Sequence, residues 1–313
     1  MERHASYTDL KPTDQGAAVA MGNFDGVHLG HQSVLALARA AAADLSAPLG
    51  VVTFEPHPRA FFQPDAPAFR LMSSDARATR FEKLGVNQLY ELPFDKDLAA
   101  KTAENFVRNV LRDGLGIRHL VVGADFRFGK GRTGDVELLR KMGQTHGFGV
   151  TIAPLVTDTQ GDYSSTAIRT ALREGRPEDA ARILGHWHRI EAIVEKGDQR
   201  GRDLGFPTAN LPMTGLHLPK FGVYAVFFDV LTGPHKGIHL GAASLGERPT
   251  FGINAPNLEV HVLGFEGNLY GEHVSVALVE YLRPEIKFDD IDALIVQMKD
   301  DCEKCRVILE TAS

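Results

Sequence analysis

The sequence AAVAMGNFDGVHLGHQSVLALARAAAADL, residues 17–45, decides the fold of the first half of the chain. A short run of small and apolar residues (17–21) ends in a glycine-rich turn, and apolar residues then recur at helical spacing. This order predicts a β-strand, a turn and an α-helix. Glycine lets a ligand approach the backbone, and a helix N-terminus offers free N–H groups, so the turn is a candidate phosphate site.

Four further apolar runs repeat this order up to about residue 185. They are LGVVTF (49–54), NQLYELPF (87–94), HLVVGAD (119–125) and VTIAPLV (150–156), each followed by a loop and a helical pattern. Alternating strands and helices are typical of an α/β fold. We predict a doubly wound parallel sheet whose ligands lie beyond the carboxyl ends of the strands.

The pattern changes after Gly185. Several β-like segments follow one another between Gly, Pro and Asn turns without helices, and one helical pattern (289–310) comes after them. Short strands at this density predict a small β-barrel with a terminal helix. Because 313 residues allow two domains, we predict a first domain over residues 1–185 and a second over 186–313.

Composition narrows the class of function. Lys and Arg number 34 against 40 Asp and Glu, a formal net charge of -6, so the chain has no basic excess for nucleic acid or an anionic membrane. We therefore expect small-molecule substrates as partners, with no nucleic acid and no membrane. The chain has only two cysteines, and it shows neither an apolar signal sequence nor a long apolar run. These features predict a cytoplasmic protein. The oligomeric state stays open.

His28 and His31 are candidate catalytic residues in the first turn. Three positions apart at a helix start, they face the same way, and two imidazoles there suit the charge that develops on a phosphoryl oxygen. The alternative is a pair of solvent-facing histidines. Downstream, SSTAIR (164–169) places hydroxyls at another helix start with Arg169 in reach of phosphates, although alone it would be an ordinary helix cap.

Three other motifs are candidate binding sites that also have plainer explanations. FEPHP (54–58) could present His57 and an apolar wall to a flat ligand, or be only a proline-rich connector. GKGRTG (129–134) does not fit a dinucleotide site, which should directly follow a strand, and the stretch from Gly123 to Lys130 does not fit a Walker A loop, which needs Ser or Thr after the lysine. Cys302 and Cys305 fall on the apolar face of the last helical pattern, which favours core packing over a metal site.

The second half offers its own candidates. Residues 197–205 form a glycine-rich segment suited to phosphates. Thr208 and Asn210 lie two apart in an extended segment, so their oxygens share one side and suit Mg²⁺ shared with nucleotide phosphates. Glu259 is a candidate general base for a hydroxyl nucleophile, or else a solvated strand residue.

Together these motifs carry a family resemblance. GNFDGVHLGH and SSTAIR resemble the HxGH nucleotidyltransferases, and GRDLGFPTAN, ASLGERPTFG and LEVHVLGFEGNLYG resemble riboflavin kinases. The whole chain is similar to the bacterial bifunctional riboflavin kinase/FMN adenylyltransferase (FAD synthetase) family. The resemblance implies that the C-terminal domain phosphorylates riboflavin to FMN with ATP and Mg²⁺. It implies that the N-terminal domain adenylates FMN to FAD and releases pyrophosphate.

The resemblance also implies a role for each motif residue, with His28, His31 and Glu259 as catalytic residues. The residues implied for ATP in the N-terminal domain are Gly22, Asn23, Phe24, Asp25, Gly30, Ser165, Thr166 and Arg169. Those implied for the flavin there are Pro56, His57, Pro58, Asp125 and Arg127. In the C-terminal domain the implied ATP residues are Gly201, Gly205, Thr208 and Asn210, of which Thr208 and Asn210 bind the metal. The implied flavin residues there are Arg283 and Phe288.

Two departures from the family pattern concern ATP. Tyr163 stands where a small aliphatic residue is commoner, and Ala167 replaces a frequent arginine. We expect these changes to alter the affinity for ATP rather than to abolish activity. Two rival hypotheses remain at this point: a flavin-binding carrier without catalysis, and an adenylyltransferase whose barrel only binds flavin.

Overall fold

The computed structural model describes residues 1–158, 161–197, 201, 204–250 and 253–312. The chain divides into two compact units. The first consists of Met1–Pro67 and Arg77–Tyr163, and the second of Ala68–Ala76 with the residues from Ser164 onward.

A parallel six-stranded sheet forms the centre of the first unit. Its strands are β1 (Glu2–His4), β2 (Ala18–Met21), β3 (Leu49–Glu55), β4 (Gln88–Pro93), β5 (His119–Gly123) and β6 (Gly149–Ala153). They lie in the order β1-β4-β3-β2-β5-β6. Strands β2, β3 and β5 consist mostly of apolar residues, as expected where helices cover both faces of such a sheet. The predicted doubly wound parallel sheet is confirmed.

Helices connect these strands. They are α1 (Leu29–Asp44), α2 (Pro58–Phe62), α3 (Ser74–Lys83), α4 (Lys96–Ala99), α5 (Ala103–Asn105), a π-helix (Phe106–Gly114) and α6 (Val136–His146). Short 3₁₀ turns cover Pro12–Asp14 and Lys130–Arg132, and β7 (Thr157–Asp158) pairs with β8 (Gly161–Asp162). In α1 the buried residues recur every three or four positions, so that one stripe faces the sheet.

The second unit is a small antiparallel barrel with flanking helices. The helices are α7 (Ser165–Glu174), α8 (Pro177–Leu184) and α9 (Ile291–Thr311). The strands are β9 (His188–Ile193), β10 (Thr208–Pro212), β11 (Gly222–Val230), β12 (Gly237–Thr250), β13 (Ile253–Val262) and β14 (His273–Arg283). Their order is β10-β13-β12-β11-β14-β9, and a bridge between Glu195 and Asn210 links the two ends. The predicted barrel with its terminal helix is confirmed.

Alternation along the strands builds two apolar layers in this unit. Tyr224, Val226 and Phe228 of β11 belong to the barrel core. Ala225 on the opposite face packs with Cys305 and Leu309 of α9. One strand therefore contributes to both layers, as a period of two requires.

The two helices that precede Gly185 belong to the barrel unit by their contacts. Helix α8 packs on β9 and β14 through buried Ala180, Ile183 and Leu184. The compact units thus part at Tyr163 and Ser164. The boundary of the two domains at 185–186 stays a prediction.

Candidate active sites

Three loops of the first unit follow neighbouring strands at one edge of the parallel sheet. The GNFDGVHLGH turn follows β2, the Pro56–Pro58 loop follows β3, and Asp125 and Arg127, both exposed, follow β5. Because β3, β2 and β5 are adjacent and parallel, their carboxyl ends lie side by side. This edge includes the point where the strand order reverses, at which α/β sheets bind their ligands.

The turn between β2 and α1 has an unusual backbone. Phe24 and Val27 have φ angles of 53° and 45°, in the left-handed region, and Gly26 between them has 87°. For a residue other than glycine this conformation costs roughly 1 kcal/mol or more. Phe24, Asp25 and Val27 are nevertheless buried. Strain of this kind persists only where the surrounding structure holds it, and it is common at functional sites.

His28 and His31 form a stacked pair at the start of α1. His28 is the N-cap, and its Nδ1 accepts the backbone N–H of His31 at 3.3 Å. The ring centroids are 3.6 Å apart, with 23° between the planes. A Cβ at Gly30 would lie only 3.1 Å from the His28 ring and 3.2 Å from the carbonyl oxygen of Tyr163. Packing around this pair therefore explains the glycine of the motif.

The environment of His31 favours its neutral form. Burial, together with the neighbouring His28, holds the pKa of His31 well below its ordinary value. Phe24 packs edge-on against the imidazole with centroids 5.2 Å apart, and Phe81 packs on Phe24 at 5.5 Å. Among the described residues, none is a hydrogen-bond partner for the buried Nδ1 of His31. A neutral imidazole in this setting can donate an N–H to a phosphoryl oxygen without a buried charge.

The loop after β3 presents an aromatic surface. It begins with a cis peptide bond between Glu55 and Pro56, and the Nδ1 atom of His57 accepts the N–H of Arg59 at 3.0 Å, which caps α2. Phe62 is 65% exposed. It belongs to an edge-to-face cluster formed by Phe54, Phe61, Phe62 and Phe94. Such a surface suits a flat apolar ligand.

The SSTAIR residues lie in the second unit. Ser164 is the N-cap of α7, and its hydroxyl accepts the N–H three residues later at 3.2 Å, while Ser165 and Thr166 lie in the first turn. The Nε of Arg169 donates to the carbonyl of Phe69 at 2.7 Å, and its guanidinium lies 5.4 Å from the centre of the Phe69 ring. The role of these residues in binding a triphosphate stays a prediction.

The barrel brings the second set of candidates together on its outer face. Thr208 and Asn210 alternate with residues of the barrel core, so both side chains point outward. Asn210 is paired directly with Glu259 of the adjacent strand. Thr208 and Asn210 also line a pocket of about 60 Å³ together with Pro207 and Tyr270. Oxygen donors and a carboxylate thus share one face beside a pocket.

Asn257 joins this face, although it belongs to none of the sequence motifs. Its Nδ2 donates to Oδ1 of Asn210 at 3.1 Å and to Oε1 of Glu259 at 3.4 Å. The only signal in the sequence was its position two residues before Glu259, on the same side of one strand. The amide fixes the orientation of both predicted functional side chains.

The glycine-rich segment before β10 is tightly packed. A Cβ at Gly201 would lie 2.4 Å from the carbonyl oxygen of Phe206, whose own N–H donates to Gly201 at 2.7 Å. A Cβ at Gly197 would meet the amide of Asn210 at the same distance, 2.4 Å, and Gly205 has a φ of 87°. Residues 198–200, 202 and 203 lie outside the described part of the chain.

The residues predicted for the flavin side of the barrel lie near its terminal helix. Arg283 donates from Nε and Nη2 to the buried carboxylate of Asp301 at 3.0 and 2.5 Å. Phe288 is half-buried. On the terminal helix α9, burial is the largest cause of the raised pKa values of the two thiols, about 11 for Cys302 and about 12 for Cys305. Their environment agrees with core packing rather than with reactive thiols.

Comparison with known proteins identifies the family. The FAD synthetase family model matches residues 10–167, and the riboflavin kinase model matches residues 184–309. The bifunctional riboflavin kinase/FMN adenylyltransferase of Pseudomonas fluorescens is 38% identical over 301 residues, which cover 96% of this chain and 95% of that protein. The chain belongs to this family. The family predicted from the motifs is confirmed, with the FAD synthetase part first and the riboflavin kinase part second.

Other members extend the similarity. The protein of the same name from Escherichia coli K12 is 38% identical over 287 residues, covering 92% of this chain and 91% of that protein. Among solved structures, one described as a macrolide-efflux protein from Streptococcus pneumoniae has a TM-score of 0.84 and 31% identity, covering 97% of this chain and 98% of that one. In the part of this chain that the structure describes, no helix has the length and apolarity that a membrane span requires.

Proposed function

We propose that the chain carries out two successive reactions: it phosphorylates riboflavin to FMN at the barrel and adenylates FMN to FAD at the first unit. Membership of the bifunctional family over almost the whole chain supports both activities. The stacked His28–His31 pair at a helix N-terminus supports the place of adenylation. The pairing of Asn210 with Glu259 supports the place of phosphorylation.

For adenylation, the free N–H groups at the start of α1 bind the α-phosphate of ATP. The FMN phosphate attacks this phosphorus, and the bond to pyrophosphate breaks. His31 donates an N–H to the non-bridging oxygen as negative charge develops there, and His28 fixes its orientation through the cap and the stacked ring. The aromatic surface of the Phe54 and Phe62 cluster holds the flavin in line with the turn.

For phosphorylation, Glu259 takes the proton of the ribityl 5′-hydroxyl as this oxygen attacks the γ-phosphate. Asn257 orients the carboxylate by its contact of 3.4 Å. The hydroxyl of Thr208 and the amide oxygen of Asn210 are hard donors on one face and fit Mg²⁺. When bound there, Mg²⁺ neutralises charge on the nucleotide phosphates.

Conversion of riboflavin by the purified full chain tests the proposal. With ATP and Mg²⁺, chromatography should resolve both FMN and FAD, and chelation of Mg²⁺ should stop FMN formation. Binding of riboflavin without turnover would instead indicate a carrier. FAD formed only from added FMN would indicate an adenylyltransferase with a non-catalytic barrel.

Two variants separate the sites. Glu259→Gln should lower the rate of FMN formation roughly 10²–10⁴-fold, the usual value of a general base, and leave FAD synthesis from FMN intact. His31→Ala should do the reverse. Glu303→Gln in α9 and His146→Ala in α6 are matched controls that should retain both rates. Loss of both activities in either site variant, with the protein still folded, would contradict the division between the two units.

A further inference from the structure

A wholly buried arginine lies behind the candidate adenylation site. Arg77 of α3 has no exposed surface. Its Nη2 donates to Oε2 of Glu55 at 3.1 Å and to Oε1 of Glu91 at 2.9 Å, and its Nη1 donates to the carbonyl oxygen of Asn23 at 3.3 Å. Arg3 of β1 binds the other oxygen of Glu91 at 2.7 Å. Two arginines and two glutamates thus form a cluster without net formal charge, in which Arg77 and Glu91 are buried.

Two of the three partners of Arg77, Asn23 and Glu55, lie in or next to the two loops proposed for the two substrates. Asn23 belongs to the turn after β2, directly before Phe24 with its left-handed backbone. Glu55 is the last residue of β3 and precedes Pro56 of the flavin loop. One guanidinium therefore connects both loops, and its planar fork makes this possible because it holds several donors in fixed directions.

Helix α3 supports the histidine pair by a second contact. Phe81, one turn after Arg77, packs edge-on against Phe24, which in turn packs against His31. The hydrogen bond to Asn23 and the ring contact to Phe24 hold consecutive residues of the same strained turn. Helix α3 thus contributes by holding this turn in position rather than by contacting the ligand.

We propose that Arg77 is a positioning residue for adenylyl transfer, which fixes the turn that binds ATP relative to the loop that binds FMN. The inference rests on the proposed adenylation site. Each substrate contacts its own loop, so loss of Arg77 leaves both binding surfaces intact and changes the alignment between them. Misplacement of reacting groups by about 1 Å can cost roughly 100-fold in rate.

Steady-state kinetics of the full chain test this role. In Arg77→Met, kcat for FAD formation from FMN should fall at least tenfold, while KM for FMN and ATP changes less than threefold and riboflavin phosphorylation keeps its rate. Arg77→Lys retains the charge but not the fork, so it should recover part of the lost kcat. Arg3→Ala removes a partner of the same Glu91 without touching Asn23 or Glu55, and it should stay within twofold of the parent.

The outcomes distinguish positioning from stability and from the proposed site itself. If Arg77→Met keeps its kcat, or loses both activities in parallel, or if Arg3→Ala slows FAD synthesis equally, Arg77 is not a positioning residue. Should Arg77→Met fail to fold, Arg77→Lys decides: a fivefold lower kcat for FAD alone supports the role, and parental rates overturn it. Full FAD synthesis by His31→Ala would instead reject the proposed site.

Discussion

Acidification should destabilise the second unit through His188, a histidine buried in β9. Its side chain is 4% exposed. Burial lowers the pKa of His188 to about 3, and the neighbouring imidazoles of His186 and His217 add to this effect. An unfolded histidine titrates near pH 6.5. Below that pH, the unfolded chain binds a proton that the folded chain excludes, so stability falls as the pH falls.

The magnitude follows from this difference. Between its unfolded pKa and pH 5, the group costs about 1.4 kcal/mol per pH unit, which amounts to about 2 kcal/mol between pH 7 and pH 5. The loss continues until the pH reaches the folded pKa of about 3. Since pH 5 lies well above that value, the expected 2 kcal/mol depends almost entirely on the unfolded state.

Urea denaturation followed by tryptophan fluorescence measures this effect in the second unit. The chain has one tryptophan, Trp187, adjacent to His188 and packed against the cluster beneath α9. The parent and His188→Gln are compared at pH 7 and pH 5. The variant has a lower free energy of unfolding at both pH values, but it lacks the protonation of His188. Its free energy of unfolding should therefore decrease by about 2 kcal/mol less than that of the parent between pH 7 and pH 5.

His235→Gln, in a surface turn, is the control, because it removes an imidazole that is not buried in a strand. Equal losses of stability in the parent and in His188→Gln, within about 0.5 kcal/mol, would show that the fold does not exclude the proton from His188. The argument from burial would then be wrong.

Three further predictions concern α9. Arg283→Met should destabilise the second unit by about 3 kcal/mol in the same denaturation assay, because it leaves the carboxylate of Asp301 buried without its arginine. Equal stability of the variant and the parent would show that the Arg283–Asp301 ion pair does not stabilise the unit. Cys302 and Cys305 should resist a thiol reagent at pH 8 in the native chain and react after unfolding, since burial raises both pKa values. Asp290→Ala should cost about 1 kcal/mol, because its Oδ1 accepts an N–H of the first turn at 2.7 Å, and Asp290→Asn should retain most of this.

Much of the fold could be predicted because its signals are local. Continuous apolar runs ending at Gly or Pro marked β2, β3 and β5, and parallel strands then place the three following loops at one edge. In contrast, β1 (Glu2–His4) is a short polar edge strand, held by pairing with β4 rather than by its own hydrophobic pattern. No period in the sequence indicates such a strand.

The candidate sites were predictable where the ligand chemistry itself selects the residues. Histidines at a helix start, and Thr208 with Asn210 at a spacing of two, follow from geometry within one element. Asn257 had only its spacing of two from Glu259 as a signal, and Arg77 had none. An arginine on a helical pattern normally indicates a solvated face, and only the tertiary structure brings Glu55 and Glu91 to Arg77.

The contacts of the arginines also bear on how phosphate charge is met in a chain of net charge -6. Arg77 is paired with two glutamates and Arg283 with Asp301, so these guanidinium groups hold loops and helices in place. In the mechanism that we propose, phosphate charge is met mainly by the N–H groups at the start of α1 in one site and by Mg²⁺ beside Asn210 in the other, with Arg169 predicted to bind the triphosphate. Both depend on backbone and donor geometry rather than on an excess of basic side chains. The negative net charge is accordingly no obstacle to binding nucleotides.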